Sequence, residues 1–236
     1  MKNQIIELLN DDNLDFPPLK NALADPNGLL AVGGDLSVKR LKAAYQAGIF
    51  PWYSHGDPIM WWSPDPRGII LIEKLRINKT LRKVLKQKKF TVTLNQAFDR
   101  VINYCADAPF RKEETWIVDE MLYAYQNLHK NGIAHSIEVW MDGELSGGLY
   151  GVAINGYFSG ESMFYNKSNG SKIALVYLSE LLKSQNIPLI DCQMLTPFLE
   201  NMGCLEVPRS QFIAIQEKAL SIILPSDFWL PRQLTL

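Results

Sequence analysis

The 236-residue chain lacks several features that would each point to a class of protein. No run approaches the roughly 18 uninterrupted apolar residues that a membrane span requires, so no spanning segment is expected. The start, Met1-Lys2-Asn3-Gln4, is followed by a short apolar stretch and then Asp11 and Asp12. It has neither the apolar core nor the small-residue cleavage site of a secretory signal, which predicts a cytoplasmic protein. Three cysteines, Cys105, Cys192 and Cys204, show no CxxC spacing, which argues against a disulfide framework and against a thiolate metal site. The three histidines, His55, His129 and His135, have no HExxH spacing, so no metal is expected.

Acid is locally missing as well. The formal net charge is −1, yet Arg76 to Lys89 holds seven basic residues and no acidic one. In that stretch Leu81, Val84 and Leu85 recur at the spacing of a buried helix face, with Arg82, Lys83, Lys86 and Lys89 on the outer side. A solvated face normally mixes signs, and unrelieved positive charge favours a phosphate-binding surface. Arg76, Lys79, Arg82, Lys83 and Lys86 are therefore the candidate contacts to an RNA backbone.

What is present is an ordinary globular composition, 47% apolar and 21% charged. Ser37 is a good cap for a helix that Gly48 ends. From Phe50 to Arg67 four prolines predict an irregular loop, and its three tryptophans must pack against something. A boundary near its end divides a small N-terminal domain, residues 1–66, from a main domain, residues 67–236. The main domain reads as a strand over 68–73, a helix capped by Asn78, a strand over 90–94, and a helix capped by Asn95 that buries Phe98, Val101, Ile102 and Cys105. A helix over 118–130 follows. Three strands between His135 and Phe164 are joined by Asp142-Gly143 and Asn155-Gly156, pairs that supply the positive φ of two-residue hairpins. A helix over 171–183, a strand over 187–193 and helices near 195–202 and 210–220 complete an α+β fold, a mixed β-sheet flanked by helices.

Strand alternation places Asp191 and Gln193 on one face and Cys192 on the other, which makes Cys192 a poor nucleophile candidate. The carboxylate and carboxamide are either site residues or a capping pair for the next helix. Glu161 and Met163 face one way on the third hairpin strand. A buried Glu161 needs a partner, a cationic substrate group or a backbone donor, and the alternative is an exposed surface acid. Leu149, Phe158, Met163, Leu175, Leu178, Leu182 and Ile190 are ordinary core residues singly and an apolar slot together.

The segments Phe50-Pro51-Trp52-Tyr53 and Trp61-Trp62-Ser63-Pro64-Asp65-Pro66-Arg67 closely resemble the signature of leucyl/phenylalanyl-tRNA–protein transferases. So do residues 26–36, Glu114-Thr115-Trp116-Ile117, His135 to Trp140, Gly147 to Gly151, Gly160 to Phe164, Asp191-Cys192-Gln193 and Phe228 to Arg232, in the family's order. The resemblance implies a small N-terminal domain joined to an N-acetyltransferase-like (GNAT-like) domain. It also implies transfer of Leu, Phe or less readily Met from aminoacyl-tRNA to proteins beginning with Arg or Lys, which marks them for degradation, without cofactor. The family's catalytic positions fall on Glu161, Asp191 and Gln193. Its aromatic contacts to the tRNA end fall on Trp52 and Trp116, and its amino-acid pocket falls on the apolar residues above, with Thr196 among the substrate-binding positions. On this reading Asp191 orients and polarises Gln193, whose amide oxygen receives or aligns the amine proton, while Glu161 holds the acceptor's amine. Alternatively a tRNA ribose hydroxyl shuttles the proton. Leu149 and Leu178 stand where some relatives carry bulkier Met and Phe, and Phe198 stands where the family usually has His. Two competitors remain: an acyl-CoA N-acyltransferase, disfavoured because Asn166 to Ser171 offers one glycine to a pyrophosphate, and a non-catalytic tRNA-end-binding module, which leaves Glu161 and Asp191 without a task.

Overall fold

A computed structural model describes residues 6–10, 12–107 and 117–236. The N-terminal part contributes strands β1 (Glu7–Leu9) and β2 (Leu29–Gly33), helix α1 (Val38–Gln46), and strands β3 (Phe50–Pro51) and β4 (Met60–Trp62). The rest follows as β5 (Arg67–Leu71), α2 (Lys79–Gln87), β6 (Thr91–Leu94), α3 (Phe98–Ala106), α4 (Asp119–Lys130), β7 (Ala134–Met141), β8 (Glu144–Ile154), β9 (Tyr157–Tyr165), α5 (Gly170–Lys183), β10 (Leu189–Gln193), α6 (Pro197–Asn201), β11 (Leu205–Val207), α7 (Arg209–Leu220) and β12 (Arg232–Leu234). It is an α+β fold with two mixed sheets, of order β1-β2-β4-β3 and β11-β5-β10-β9-β8-β7-β6-β12. Among the described residues no helix is long and apolar enough to cross a membrane.

Local chemistry sets most of these elements. Ser37 Oγ accepts from Arg40 N at the start of α1, and Asn78 Oδ1 accepts from Leu81 N at the start of α2, each satisfying one of the orphan donors of a first turn. Helix α3 departs from expectation. Asn95 does not cap it. It adopts φ 56° and accepts from Ser136 N at 2.9 Å, and the cap position is Ala97, which has no side-chain acceptor. The carboxylate of Glu138 on β7 instead receives the Gln96 and Ala97 amides at 3.3 and 3.4 Å, together with the hydroxyls of Thr93 and Ser136. A buried acid thus caps a helix from the neighbouring strand, a contact between positions about 40 residues apart that local spacing does not reveal. The four apolar residues of α3 are buried, as their period requires.

The loop expected over 50–67 contains β3 and β4. Pro51 ends an edge strand, and the other prolines fall outside strands, the positions where a missing amide does no harm. Trp61 is fully buried and donates to Gly33 O at 2.9 Å. In the hairpins Asp142, Gly143 and Asn155 have positive φ, but Gly156 does not. Gly156 is needed for space instead, since a Cβ there would stand 2.7 Å from both Ala219 O and Ile222 Cβ. The short strands β1, β2, β11 and β12, three to five residues each, are too short to show alternation.

Helices α3 and α4 cover one face of the large sheet and α5 the other. One hydrophobic cluster runs from Leu41 and Trp61 through Val101 and Tyr125 to Phe212, so the N-terminal part and the large sheet share a core. Strands β9 and β10 are parallel and meet at one rung, Asp191 against Ser159. Beyond it the ladder ends, and the parting of the two strands opens the site.

Candidate active site

Where β9 and β10 part lies a cavity of 360 Å³, lined by Leu149, Met163, Leu175, Leu178, Ile190, Phe198 and Leu199, with Glu161, Cys192, Gln193 and Thr196 among its polar groups. Trp52 and Met194 also line it and are 39% and 44% exposed. Trp52 is held edge-on to Trp62 at 5.6 Å, and its carbonyl accepts from Trp62 Nε1 at 2.6 Å. An aromatic face is therefore fixed in position yet open to solvent.

The strand-parity expectation for 190–193 does not hold. A bulge falls between Asp191 and Gln193, with Gln193 at φ 58°. A bulge re-aims side chains, and as a result Cys192 and Gln193 both line the cavity while Asp191 does not. Phe158 and Leu182 also stand outside the lining. Phe158 is buried beneath it, 5.8 Å from the Trp229 ring, and Leu182 belongs to the core around α5. Trp116 lies outside the described residues. Arg76, Lys79, Arg82, Lys83 and Lys86 are exposed on and beside α2, and among the described residues none of them forms an ion pair.

Beneath the cavity Asp191 is fully buried. Its carboxylate receives Arg67 Nε at 2.9 Å and Nη2 at 2.7 Å, Tyr157 OH at 2.5 Å and its own neighbour Gln193 N at 3.0 Å. Arg67 is sandwiched 4.8 Å from the Phe50 ring and 4.5 Å from the Phe212 ring. Burial opposes the guanidinium charge, but Asp191 outweighs it and raises the Arg67 pKa. With four donors in place Asp191 is acceptor-saturated. Its contact with Gln193 is to the backbone amide, so it fixes the bulge and does not polarise the carboxamide.

The wall of the cavity carries a second chain of polar groups, which the Tyr157 hydroxyl links to the first through Ser159. The carboxamide of Gln193 is satisfied when its nitrogen donates to Gly160 O and Cys192 O, each at 3.0 Å, and its oxygen accepts from Ser159 Oγ at 2.7 Å. The reverse orientation would press the amide oxygen against two carbonyl oxygens. Ser159 Oγ is 2.9 Å from Glu161 Oε1, Tyr125 OH donates to Glu161 Oε2 at 2.9 Å, and the hydroxyls of Tyr125 and Tyr45 are 2.5 Å apart. Burial pushes the Glu161 carboxyl up to about 7, against the hydrogen bonds from Tyr45, Tyr125 and Ser159 that lower it. Cys192 is no nucleophile: the neighbouring Cys204 thiol, and then burial, push its pKa well up, leaving it a protonated thiol.

Arg67, Ser159, Tyr45, Tyr125 and Tyr157 were not singled out by their types or spacing. Arg67 had a signal in the sequence, because an acid on a buried strand requires a cation. The tyrosines had none, since they come from α1, α4 and the start of β9. Among the described residues no three His, Cys, Asp or Glu side chains group as metal ligands. The start of α5 is packed shut: a Cβ on Gly170 would stand 2.5 Å from Ser146 O, and the Asn166 and Lys167 amides both donate to that carbonyl.

Comparison with known proteins bears on what this cavity serves. A family model described as leucyl/phenylalanyl-tRNA protein transferase matches residues 69–217, and one for the N-terminal domain of the same family matches residues 34–65. A leucyl/phenylalanyl-tRNA–protein transferase of Colwellia psychrerythraea is 58% identical over 98% of each chain. One of Pseudoalteromonas atlantica is 50% identical over 98% of this chain and 99% of its own. Among solved structures, L-PGS from Bacillus licheniformis gives a TM-score of 0.40 at 14% identity over 86% of this chain and 64% of its own. A GCN5-related N-acetyltransferase-like protein from Streptococcus suis gives 0.32 at 11% over 68% and 59%. Scores this low carry no argument.

Proposed function

The chain belongs to the leucyl/phenylalanyl-tRNA–protein transferase family, and from that premise we propose that it moves Leu, Phe and less readily Met from aminoacyl-tRNA onto proteins whose first residue is Arg or Lys. Acceptors so modified are marked for degradation. The observation that carries this reading is the cavity itself: an apolar slot whose polar wall bears a carboxyl and a carboxamide, with an exposed tryptophan among its lining residues.

Leu149, Met163, Leu175, Leu178 and Ile190 take the amino-acid side chain. Such a slot separates side chains differing by a methylene by only about 1–3 kcal/mol, so graded acceptance of Leu, Phe and Met is expected. Trp52 stacks on the terminal base of the tRNA. The exposed cations of α2, Arg82 and Lys83 above all, meet the phosphate backbone.

The ester of aminoacyl-tRNA is already activated, and an α-amine with a pKa of about 7.7–8.0 is partly neutral at pH 7. Holding that amine against the ester carbonyl supplies most of the acceleration. Glu161 holds the acceptor's amine and the Gln193 carboxamide aligns it, with Arg67 and Asp191 fixing the strand beneath. The nitrogen lone pair forms the C–N bond as the ribose oxygen leaves, and the amine proton ends on that oxygen.

Mixing the protein with Leu-tRNA, acetyl-CoA and an Arg-initiated peptide tests the reading. Leucine appearing on the peptide N-terminus is expected, and acetylation or no transfer would refute it.

A further inference from the structure

The wall of the cavity contains a hydrogen-bonding demand that its protons can meet only while Glu161 keeps its own. Ser159 Oγ lies 2.7 Å from the Gln193 carboxamide and 2.9 Å from Glu161 Oε1, and the residue is fully buried. A serine hydroxyl has one proton. When that proton goes to the Gln193 oxygen, the contact with Glu161 is a hydrogen bond only if Glu161 is itself protonated and donates to Oγ. When Glu161 is ionised, it claims the serine proton, and the Gln193 oxygen loses its donor. The carboxamide cannot simply turn over, because its oxygen would then face Gly160 O and Cys192 O at 3.0 Å.

We infer that Ser159 is a positioning residue that couples the proton on Glu161 to the Gln193 carboxamide. With Glu161 protonated, the file runs Glu161 to Ser159 to Gln193 and the amide oxygen is occupied. With Glu161 ionised, the hydroxyl rotates to the carboxylate and the amide oxygen is released to accept from an incoming amine. One deprotonation thus readies both groups that meet the acceptor: the carboxylate that binds it and the oxygen that aligns it. The inference rests on the transfer reading only for what the released oxygen does.

The surroundings make Glu161 the group that titrates. Tyr45 from α1, Tyr125 from α4 and Tyr157 on β9 have pKa values raised well above 10 by burial, and Tyr150 of β8 stands opposite Ser162. Asp191 of β10 is committed to Arg67 of β5. The elevated Glu161 pKa, about 7, puts the change near neutrality.

The test is the pH titration of the Gln193 side-chain amide signals by NMR, assigned through their absence in Gln193→Ala. In the wild-type protein they are expected to shift with an inflection near pH 7. The inflection is expected to vanish in Ser159→Ala and in Glu161→Gln, and to persist in Ser159→Thr. In single-turnover transfer, the rise in rate between pH 6 and 8 is expected to be steeper in the wild type than in Ser159→Ala by up to about tenfold, the change in ionised fraction of a group titrating at 7. Signals that do not titrate in the wild type, or that titrate alike in Ser159→Ala, would overturn the coupling. Should Ser159→Ala not fold, an inflection surviving in Glu161→Gln overturns it equally. The NMR measurement needs neither tRNA nor acceptor, so absence of transfer would refute the function while leaving this result to stand on its own.

Discussion

The floor and the wall of the cavity use the same kinds of group to opposite ends. In the floor, Asp191 meets Arg67, Tyr157 and a backbone amide, and every acceptor site is filled. In the wall, the hydrogen bonds that Glu161 receives among the described residues come from hydroxyls, and the Ser159 proton has two claimants. A carboxylate facing a guanidinium is held by charge-assisted, bidentate hydrogen bonds. A carboxyl among neutral hydroxyls in a partly buried site keeps its proton to near neutrality. The difference teaches that a buried acid whose acceptor sites are all filled holds the fold in place, while one that shares a proton with its neighbour can change state within it.

The contrast can be broken most forcefully at the floor. Arg67→Met leaves Asp191 buried and unpaired, and is expected to cost about 3–5 kcal/mol of stability in urea unfolding, most of which the double variant Arg67→Met/Asp191→Leu should regain. If the single variant were as stable as the wild type, the floor would not be a fixed ion pair.

A smaller effect is expected at the wall. The native state holds the Glu161 proton to about 7, whereas an ordinary glutamate releases it near 4.5. Between those values the native state binds more protons than the unfolded chain, so its stability falls as pH rises. The loss is about 3 kcal/mol and is complete above pH 7. Glu161→Gln should flatten that part of the stability profile, and an unchanged slope would remove Glu161 from it.

Between floor and wall, the slot itself should respond by about 1–3 kcal/mol. Leu178→Phe narrows it and is expected to shift the preference from Phe toward Leu by about tenfold when Leu-tRNA and Phe-tRNA compete. The least effect on folding is expected at α2, whose cations form no ion pair among the described residues. Arg82→Glu with Lys83→Glu should leave stability within about 0.5 kcal/mol, yet lower the slope of log affinity for tRNA against log salt by about 2. An unchanged slope would take α2 out of the interface.

Much of the scaffold was legible because it is written in short-range chemistry. The Ser37 and Asn78 caps, the buried face of α3 and the hairpin at Asp142-Gly143 each depend on residues within a few positions of one another. The candidate site was legible in composition only. Glu161 and Gln193 line one cavity, while Asp191, Phe158 and Leu182 lie behind it. Alternation assumes an unbroken ladder, and the bulge at Asp191 breaks it.

By itself, then, the sequence determined which segments become helices and hairpins, which faces they bury and which family the chain resembles, since periodicity, capping and turn residues act locally. Only the tertiary structure decided that Arg67 would neutralise a carboxylate 124 positions away, that Tyr45 and Tyr125 would close over Glu161, and that Ser159 would stand between two groups with one proton to give. Those outcomes depend on where two strands part, and that is set by packing on both faces of the sheet.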